Sequence, residues 1–195
     1  MTTLTEEKSK IYYDVALLHI ETIKTGFLPS LGPQFLSLMY RCIDEADFST
    51  LIVKYDDQTL TGFVSGSLGD SSLYKKMLLY PFSLFLSLMP TLLDLTKIKK
   101  IINILQHVSS KERNNFPSAE LLTICVNKDY RRQGIAESLY GELSLFFQQK
   151  ERSKFTIVVG QSLNANKFYK KQGAYIADEI QVHSGVNSNI YIQNI

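Results

Sequence analysis

Tryptophan is absent from the 195 residues, and cysteine (2) and proline (5) are scarce. Cys42 and Cys125 form no CxxC pair and offer no metal-ligand spacing. They read as buried free thiols in a reducing compartment, which excludes a disulfide scaffold. With ten glycines and no repeat, the chain is neither collagen-like nor of low complexity. An excess of charge of one sign is missing too. Twenty-one Lys and Arg against nineteen Asp and Glu leave a formal net charge of +2. That is too little for the concentrated basic face that nucleic acid requires.

Long hydrophobic runs are also lacking, with one near exception. "MLLYPFSLFLSLMPTLLDL", residues 77–95, is interrupted by Pro81 and Pro90 and closed by Asp94. It falls short of the roughly 20 apolar residues of a spanning helix, so it reads as core-packing helices broken at proline. The Lys-rich "LTKIKKIINILQHV" that follows keeps contact with a membrane surface open. The opening "MTTLTEEKSKIYYD" is polar and acidic, unlike a signal peptide. A cytoplasmic location is expected.

What is present describes an ordinary globular protein, with 45% hydrophobic and 21% charged residues. The length suits a single domain over 1–195 with a helical insertion at about 70–116. "EEKSKIYYDVALLHIETI" repeats apolar residues at helical spacing. Pro33 stands at a plausible first helical position of a helix reaching about Ala46. "STLIVKYDDQTLTGFVSGSL" is a hairpin turning at Asp56, Asp57 and Gln58. "AELLTICV" carries apolar residues on both faces, as a central strand does. A helix follows with Ile135, Leu139, Leu143 and Phe146 on one stripe. Then come strand "KFTIVVG", a helix stopped by Gly173, and a final hairpin. The fold class is α/β with a mixed sheet.

"NKDYRRQGIAESLY", residues 127–140, sits where a strand hands over to a helix. A helix start leaves backbone N–H groups unpaired and carries partial positive charge. Gly134 lets a ligand approach the backbone, and Arg131 and Arg132 add charge-assisted donors, a combination that suits a diphosphate. An arginine pair alone is more often a solvated surface feature.

Arg131-Arg132-Gln133-Gly134-Ile135-Ala136 resembles the acyl-CoA-binding motif of the GNAT superfamily of N-acyltransferases, [Q/R]-x-x-G-x-[G/A]. "TIVVGQSLNANKFYKKQGA" is similar to that family's second region, with Ala165, Phe168, Tyr169 and Gly173 in place. Ala174 departs from it, standing where the family usually has an aromatic residue. The resemblance covers roughly residues 8–68 and 117–195. It implies a GNAT-like fold, a central mixed β-sheet flanked by helices, with the insertion between the third and fourth strands.

The resemblance also implies acetyl-CoA as co-substrate and a primary amine as acceptor. The pyrophosphate would sit on the amides between Arg132 and Ala136, supported by Arg131 and Arg132. The strand end Ile124, Cys125 and Val126 would pair with the pantetheine arm, and the amide of Ile124 or a neighbour would polarise the thioester carbonyl. Asn164 would cap the following helix and lie near the cofactor arm, and Tyr169 is implied as the acid for the departing thiolate.

Glu120, fourteen positions before Gly134, starts an otherwise apolar strand. That spacing resembles GNAT members that use a glutamate base on this strand, which makes Glu120 the base candidate, with an exposed edge glutamate as the even alternative, since burial decides its pKa. His19, His107 and His183 are isolated and give no metal-ligand spacing. Tyr12, Tyr13, Phe27 and Tyr74 are candidate pocket walls or core residues. For the acceptor, "GFLPSLGPQFLSLMYR" looks similar to GNAT relatives found with surface-polysaccharide pathways, which suggests an amino sugar. A peptide or protein amine, and a catalytically silent acyl-CoA-binding module, stay open as alternatives. So does a homodimer.

Overall fold

A computed structural model describes residues 2–24, 27–69, 76–89, 116–182 and 186–195. Helix α1 (Thr2–Thr22) leads through a 3-10 turn (Leu28–Leu31) into α2 (Pro33–Asp44). Pro33 opens α2, where a missing N–H costs nothing. Seven of its twelve residues are buried, among them Leu36, Tyr40 and Ile43. Strands β1 (Ser49–Asp56) and β2 (Thr59–Ser67) form the expected hairpin, with Asp57 at φ 50° in its turn.

Helix α3 (Pro81–Leu88) is the described part of the insertion beyond a short stretch at 76–80. It does not pack as a core helix. Phe82, Phe85 and Leu86 are exposed, and only Ser87 is buried. Tyr74 and His107 lie outside the described residues. The insertion follows the second described strand, one strand earlier than expected, because only the two runs of the hairpin precede it.

Beyond it come β3 (Glu120–Val126), α4 (Ile135–Gln149), β4 (Lys154–Gly160), α5 (Ala165–Lys171), β5 (Tyr175–Val182) and β6 (Val186–Asn194). The six strands form one sheet in the order β1-β2-β3-β4-β6-β5, antiparallel except for the parallel pair β3–β4. Helices α1 and α2 cover one face, with Val15, Leu36, Tyr40 and Phe63 in their core. Helix α4 covers the other over Val64, Leu139, Leu143, Phe147 and Phe155. Its deepest stripe runs through Phe147 rather than Phe146, since residues four apart stay in phase below Leu139 and Leu143.

Gly66 makes that close packing possible. A Cβ there would lie 2.5 Å from Leu143 Cδ1 and 2.9 Å from Phe147 Cζ. Helix α5 ends as predicted at Gly173, whose N–H donates to the Lys170 carbonyl while that of Ala174 donates to Tyr169.

Candidate active site

Strand β3 belongs to both cores. Cys125 lies opposite Phe63 beneath α1 and α2, and Leu121 lies opposite Gly66 beneath α4. Between them Ser65 pairs with Thr123 and Gly66 with Leu121, so Leu122 is an extra, bulged residue. The bulge resets the alternation and turns Glu120, Thr123 and Cys125 toward the same α1/α2 face.

The parallel pair β3–β4 is short. Glu120 pairs with Thr156 and Leu121 with Ile157, and no further pair follows. From Leu122 to Val126 the two strands diverge. The N–H of Asn127 donates to Thr61 of β2 (2.8 Å), so by strand alternation those of Cys125 and Thr123 also face β2. The N–H and C=O groups of Ile124 and Val126 therefore point away from β2, into the gap. One of them, the Val126 carbonyl, receives the Arg131 Nε–H (3.3 Å).

The gap opens onto the loop before α4. Arg132 holds a left-handed φ of 62° and Gly134 one of 79°, the first uncommon for a side-chain-bearing residue. Gly134 is the N-cap of α4 and supplies no side-chain cap. Its carbonyl accepts the first helical bond, from Ser138. Among the described residues, the N–H groups of Gly134, Ile135 and Ala136 have no backbone acceptor. Nothing lies within 4 Å of a Cβ built on Gly134. Successive N–H groups in such a turn form an anion-binding concavity, which the helix start reinforces. Arg131 and Arg132 are exposed beside it. Gln133 turns elsewhere, lining a cavity of about 420 Å³ with Lys54, Tyr55, Asp56, Thr61, Tyr130 and Ile135.

Across the gap, Tyr169 on α5 is 4% exposed, and its ring lies 6.0 Å from that of Tyr191 and 6.2 Å from that of Tyr140. Burial pushes its phenol well above the usual range, and Cys125 adds to the shift, so the two sit near one another. Its hydroxyl has no hydrogen-bond partner among the described residues. The Cys125 thiol is itself pushed up to about 12 by burial, with Thr22 and Arg131 opposing. It is neutral at physiological pH.

Asn164 is exposed and makes no capping hydrogen bond, because its own backbone is already helical (φ −61°, ψ −20°). The residue that secures this turn is Asn166, which the sequence reading missed. Its Nδ2 donates to the carbonyls of Gly160, Gln161 and Leu163, and its Oδ1 accepts from Asn189 Nδ2 (2.8 Å) and Tyr191 Oη (3.0 Å). These bonds tie the start of α5 to β4 and β6, and with it the helix that carries Tyr169.

Glu120 is half-buried at the closed end of the gap, not an exposed edge residue. Tyr12 is a core residue, Phe27 packs partly against the same core, and Tyr13 is exposed. His183 lies outside the described residues.

Residues 103–188 match the family model of the acetyltransferase (GNAT) domain. A search of curated proteins finds no significant match. Among solved structures, the chain is similar to the PaiA N-acetyltransferase of Thermoplasma acidophilum in complex with coenzyme A. The TM-score is 0.57 at 12% identity, covering 97% of this chain and 94% of that one. Ard1 of Thermoplasma volcanium aligns with a TM-score of 0.55 at 15% identity, covering 94% and 93%. A Bacillus anthracis acetyltransferase in complex with acetyl coenzyme A gives 0.52 at 13%, covering 80% and 68%. At these identities the likeness is one of fold. No helix among the described residues is long and apolar enough to cross a membrane. The match to the acetyltransferase (GNAT) domain takes in the divergent strand pair and the loop beside it, and over those residues the chain is similar to that family.

Proposed function

We propose that the chain transfers an acetyl group from acetyl-CoA to a primary amine of a small molecule, and that the acceptor is an amino sugar. The observation that carries the cofactor half is the divergence of β3 from β4 after Leu121 and Ile157, beside a loop of unpaired amides. The open edge of Ile124 and Val126 offers backbone groups to the amides of the pantetheine arm. The N–H groups of Gly134, Ile135 and Ala136 receive the pyrophosphate, with Arg131 and Arg132 as side-chain support. Space at Gly134 and free amides around it fit such a group. Ile124 N–H, aimed into the gap, stabilises the oxyanion as it forms.

Glu120 takes a proton from the incoming amine, and Tyr169 gives one to the departing thiolate. Burial keeps the Tyr169 phenol protonated, as a donor must be. The amino-sugar class rests on the likeness of residues 26–41 to relatives of surface-polysaccharide pathways. Of those residues, Leu28–Leu31 form the 3-10 turn and Pro33 onward belongs to α2, over the face that Glu120 shares. Cytoplasmic residence fits the two free thiols.

The test is thiol release from acetyl-CoA over a panel of hexosamines, polyamines and peptides, with Glu120→Gln alongside. Positioned bases contribute about 100- to 10,000-fold, so turnover should fall at least tenfold in the variant while acetyl-CoA affinity stays. Glu137→Gln, on α4 just past the loop, should leave turnover nearly intact. Release with peptides alone would replace the amino sugar by a peptide amine. Binding of acetyl-CoA without release on any amine would leave a binding module instead.

A further inference from the structure

Helix α3 is apolar on two opposite faces, and only one of them is covered. Tyr80, Leu84 and Leu88 pack partly against the α1/α2 core, and the Ser87 hydroxyl turns back to the Leu84 carbonyl at 2.8 Å. On the opposite side, helical spacing lines up Phe82, Phe85, Leu86 and, at the C-cap, Met89. They are 73%, 56%, 48% and 49% exposed, and Leu78 and Leu79 just before the helix are 65% and 73% exposed. In sequence, no charged residue stands between Lys76 and Asp94. A helix on a protein surface turns polar residues to water, and this one does not.

The stripe is held outward by its back. The Tyr80 hydroxyl donates to Glu45 Oε2 (2.6 Å), and the Arg41 guanidinium lies 4.5 Å over the Tyr80 ring. Arg41 Nε donates to Glu45 Oε1 (2.9 Å), closing the triangle. Lys76 Nζ donates to the Glu45 carbonyl, and Met77 is buried in the same core. These contacts fasten the start of α3 to the end of α2, on the side of the sheet away from α4.

The apolar stripe alone does not name its cover, but the charge around it does. Residues 75–100 hold five lysines and one aspartate in a chain whose formal charge is only +2, so the rest of the chain is net negative. A second copy would bring those lysines against their like. Eight residues of helix, about 12 Å long, are also a short seam for the roughly 800 Å² per partner that a stable protein interface buries. A bilayer asks for no matching shape. It takes aromatic and aliphatic side chains into the headgroup boundary, and its anionic lipids attract nearby lysines. We propose that the outer stripe of α3 docks the protein on an anionic phospholipid surface. Phe82, Phe85, Leu86 and Met89 enter the interface, and the positive charge of the surrounding sequence selects anionic headgroups. Docking is peripheral, since a helix of this length does not cross a bilayer. It lays the α1/α2 side of the sheet toward the lipid and stands apart from the acetyl-transfer reading.

Because the chain has no tryptophan, Phe85→Trp installs a single reporter on the stripe. With vesicles of equal parts phosphatidylcholine and phosphatidylglycerol, its emission should move to the blue, and bromine-labelled acyl chains should quench it. The unaltered chain should sediment with these vesicles, and less with phosphatidylcholine alone. Added salt should weaken the binding without abolishing it. Phe82→Ser combined with Phe85→Ser should lower the partition coefficient about tenfold or more, as the loss of two buried aromatic side chains implies. The thermal melt should stay in place, since both rings are exposed on the free protein. Leu145→Ser, exposed on α4 across the sheet, should partition as wild type. A wild-type chain that sediments with neither vesicle, or with both equally, would overturn the proposal, and so would a double variant that partitions as wild type. A dimer that the double variant dissolves, formed by a chain that ignores vesicles, would overturn it too and give the stripe to a second copy.

Discussion

Gly134 separates the two roles of the loop before α4, helix cap and ligand cradle. A methyl group added there meets nothing within 4 Å, so Gly134→Ala introduces no clash. Its cost to the fold is the left-handed backbone, φ 79°, which an L-residue adopts at about 1–2 kcal/mol. For a chain of this length each 1 kcal/mol lowers Tm by about 2–4 °C, so a fall of about 2–8 °C is expected. Binding should suffer more. The methyl would stand beside the unpaired amides of Gly134, Ile135 and Ala136, where it keeps a phosphate oxygen from the backbone. One lost hydrogen bond to a charged group costs about 1.5–3 kcal/mol, hence about a ten- to hundredfold loss of coenzyme A affinity. Calorimetric titration reads that loss and a thermal melt reads the stability. Gly141→Ala is the internal control. It lies exposed within α4 with nothing within 4 Å of its Cβ, so it should gain about 1 kcal/mol and leave affinity alone. A folded Gly134→Ala that binds coenzyme A as tightly as wild type would make the glycine a helix cap only.

Two further substitutions probe the frame around the site. Gly66→Ala drives a methyl to 2.5 Å from Leu143 Cδ1 and 3.3 Å from the Glu120 carbonyl. It should cost about 1–3 kcal/mol by overpacking, read as a lower urea midpoint at unchanged m, and a wild-type midpoint would show that α4 can retreat. Asn166→Ala removes the acceptor of Asn189 and Tyr191, at about 1–3 kcal/mol. Amide exchange at Leu163 and Lys167 should quicken, whereas unchanged exchange there would mean the turn is held by its backbone bonds alone.

The features legible in the sequence are those set by a residue's own covalent chemistry. Pro33 has no N–H to lose at a helix start, and Gly173 stops α5 as expected. The alternating runs around Asp57 could only be a hairpin, and the loop motif fell where a strand meets a helix. What the sequence hid depends on partners distant in the chain. Asn164 and Asn166 are the same side chain two positions apart, and only the approach of Asn189 and Tyr191 selects the second. Leu122 reads as any apolar strand residue, yet its bulge decides which way Glu120 and Thr123 face. Helix α3 has the composition of a core helix but leaves Phe82, Phe85 and Leu86 exposed, because an apolar pattern states a need for cover without naming what supplies it.

The divided strand pair and the strained loop are two unmet demands of one segment, and their adjacency narrows the ligand. Ile124 and Val126 present strand groups to the gap with no strand to receive them, and Arg131 occupies the Val126 carbonyl only through its side chain. A few residues on, the amides at Gly134 to Ala136 call for negative charge while Arg132 keeps a left-handed backbone. Inorganic phosphate could satisfy the loop but leaves the strand edge open, and an extended peptide could satisfy the edge but brings no anion to the loop. A ligand with an amide-bearing arm joined to a diphosphate meets both at once. Each group it satisfies on the folded chain alone adds to stability by mass action. An acyl-CoA has that composition, with its thioester at the far end of the arm from the phosphates. Laid along β3, the arm runs from the α4 loop toward the closed end of the gap. There Ile124, Thr123 and Glu120 follow in turn, so the proposed function sets the reacting carbon between its proposed oxyanion donor and its proposed base.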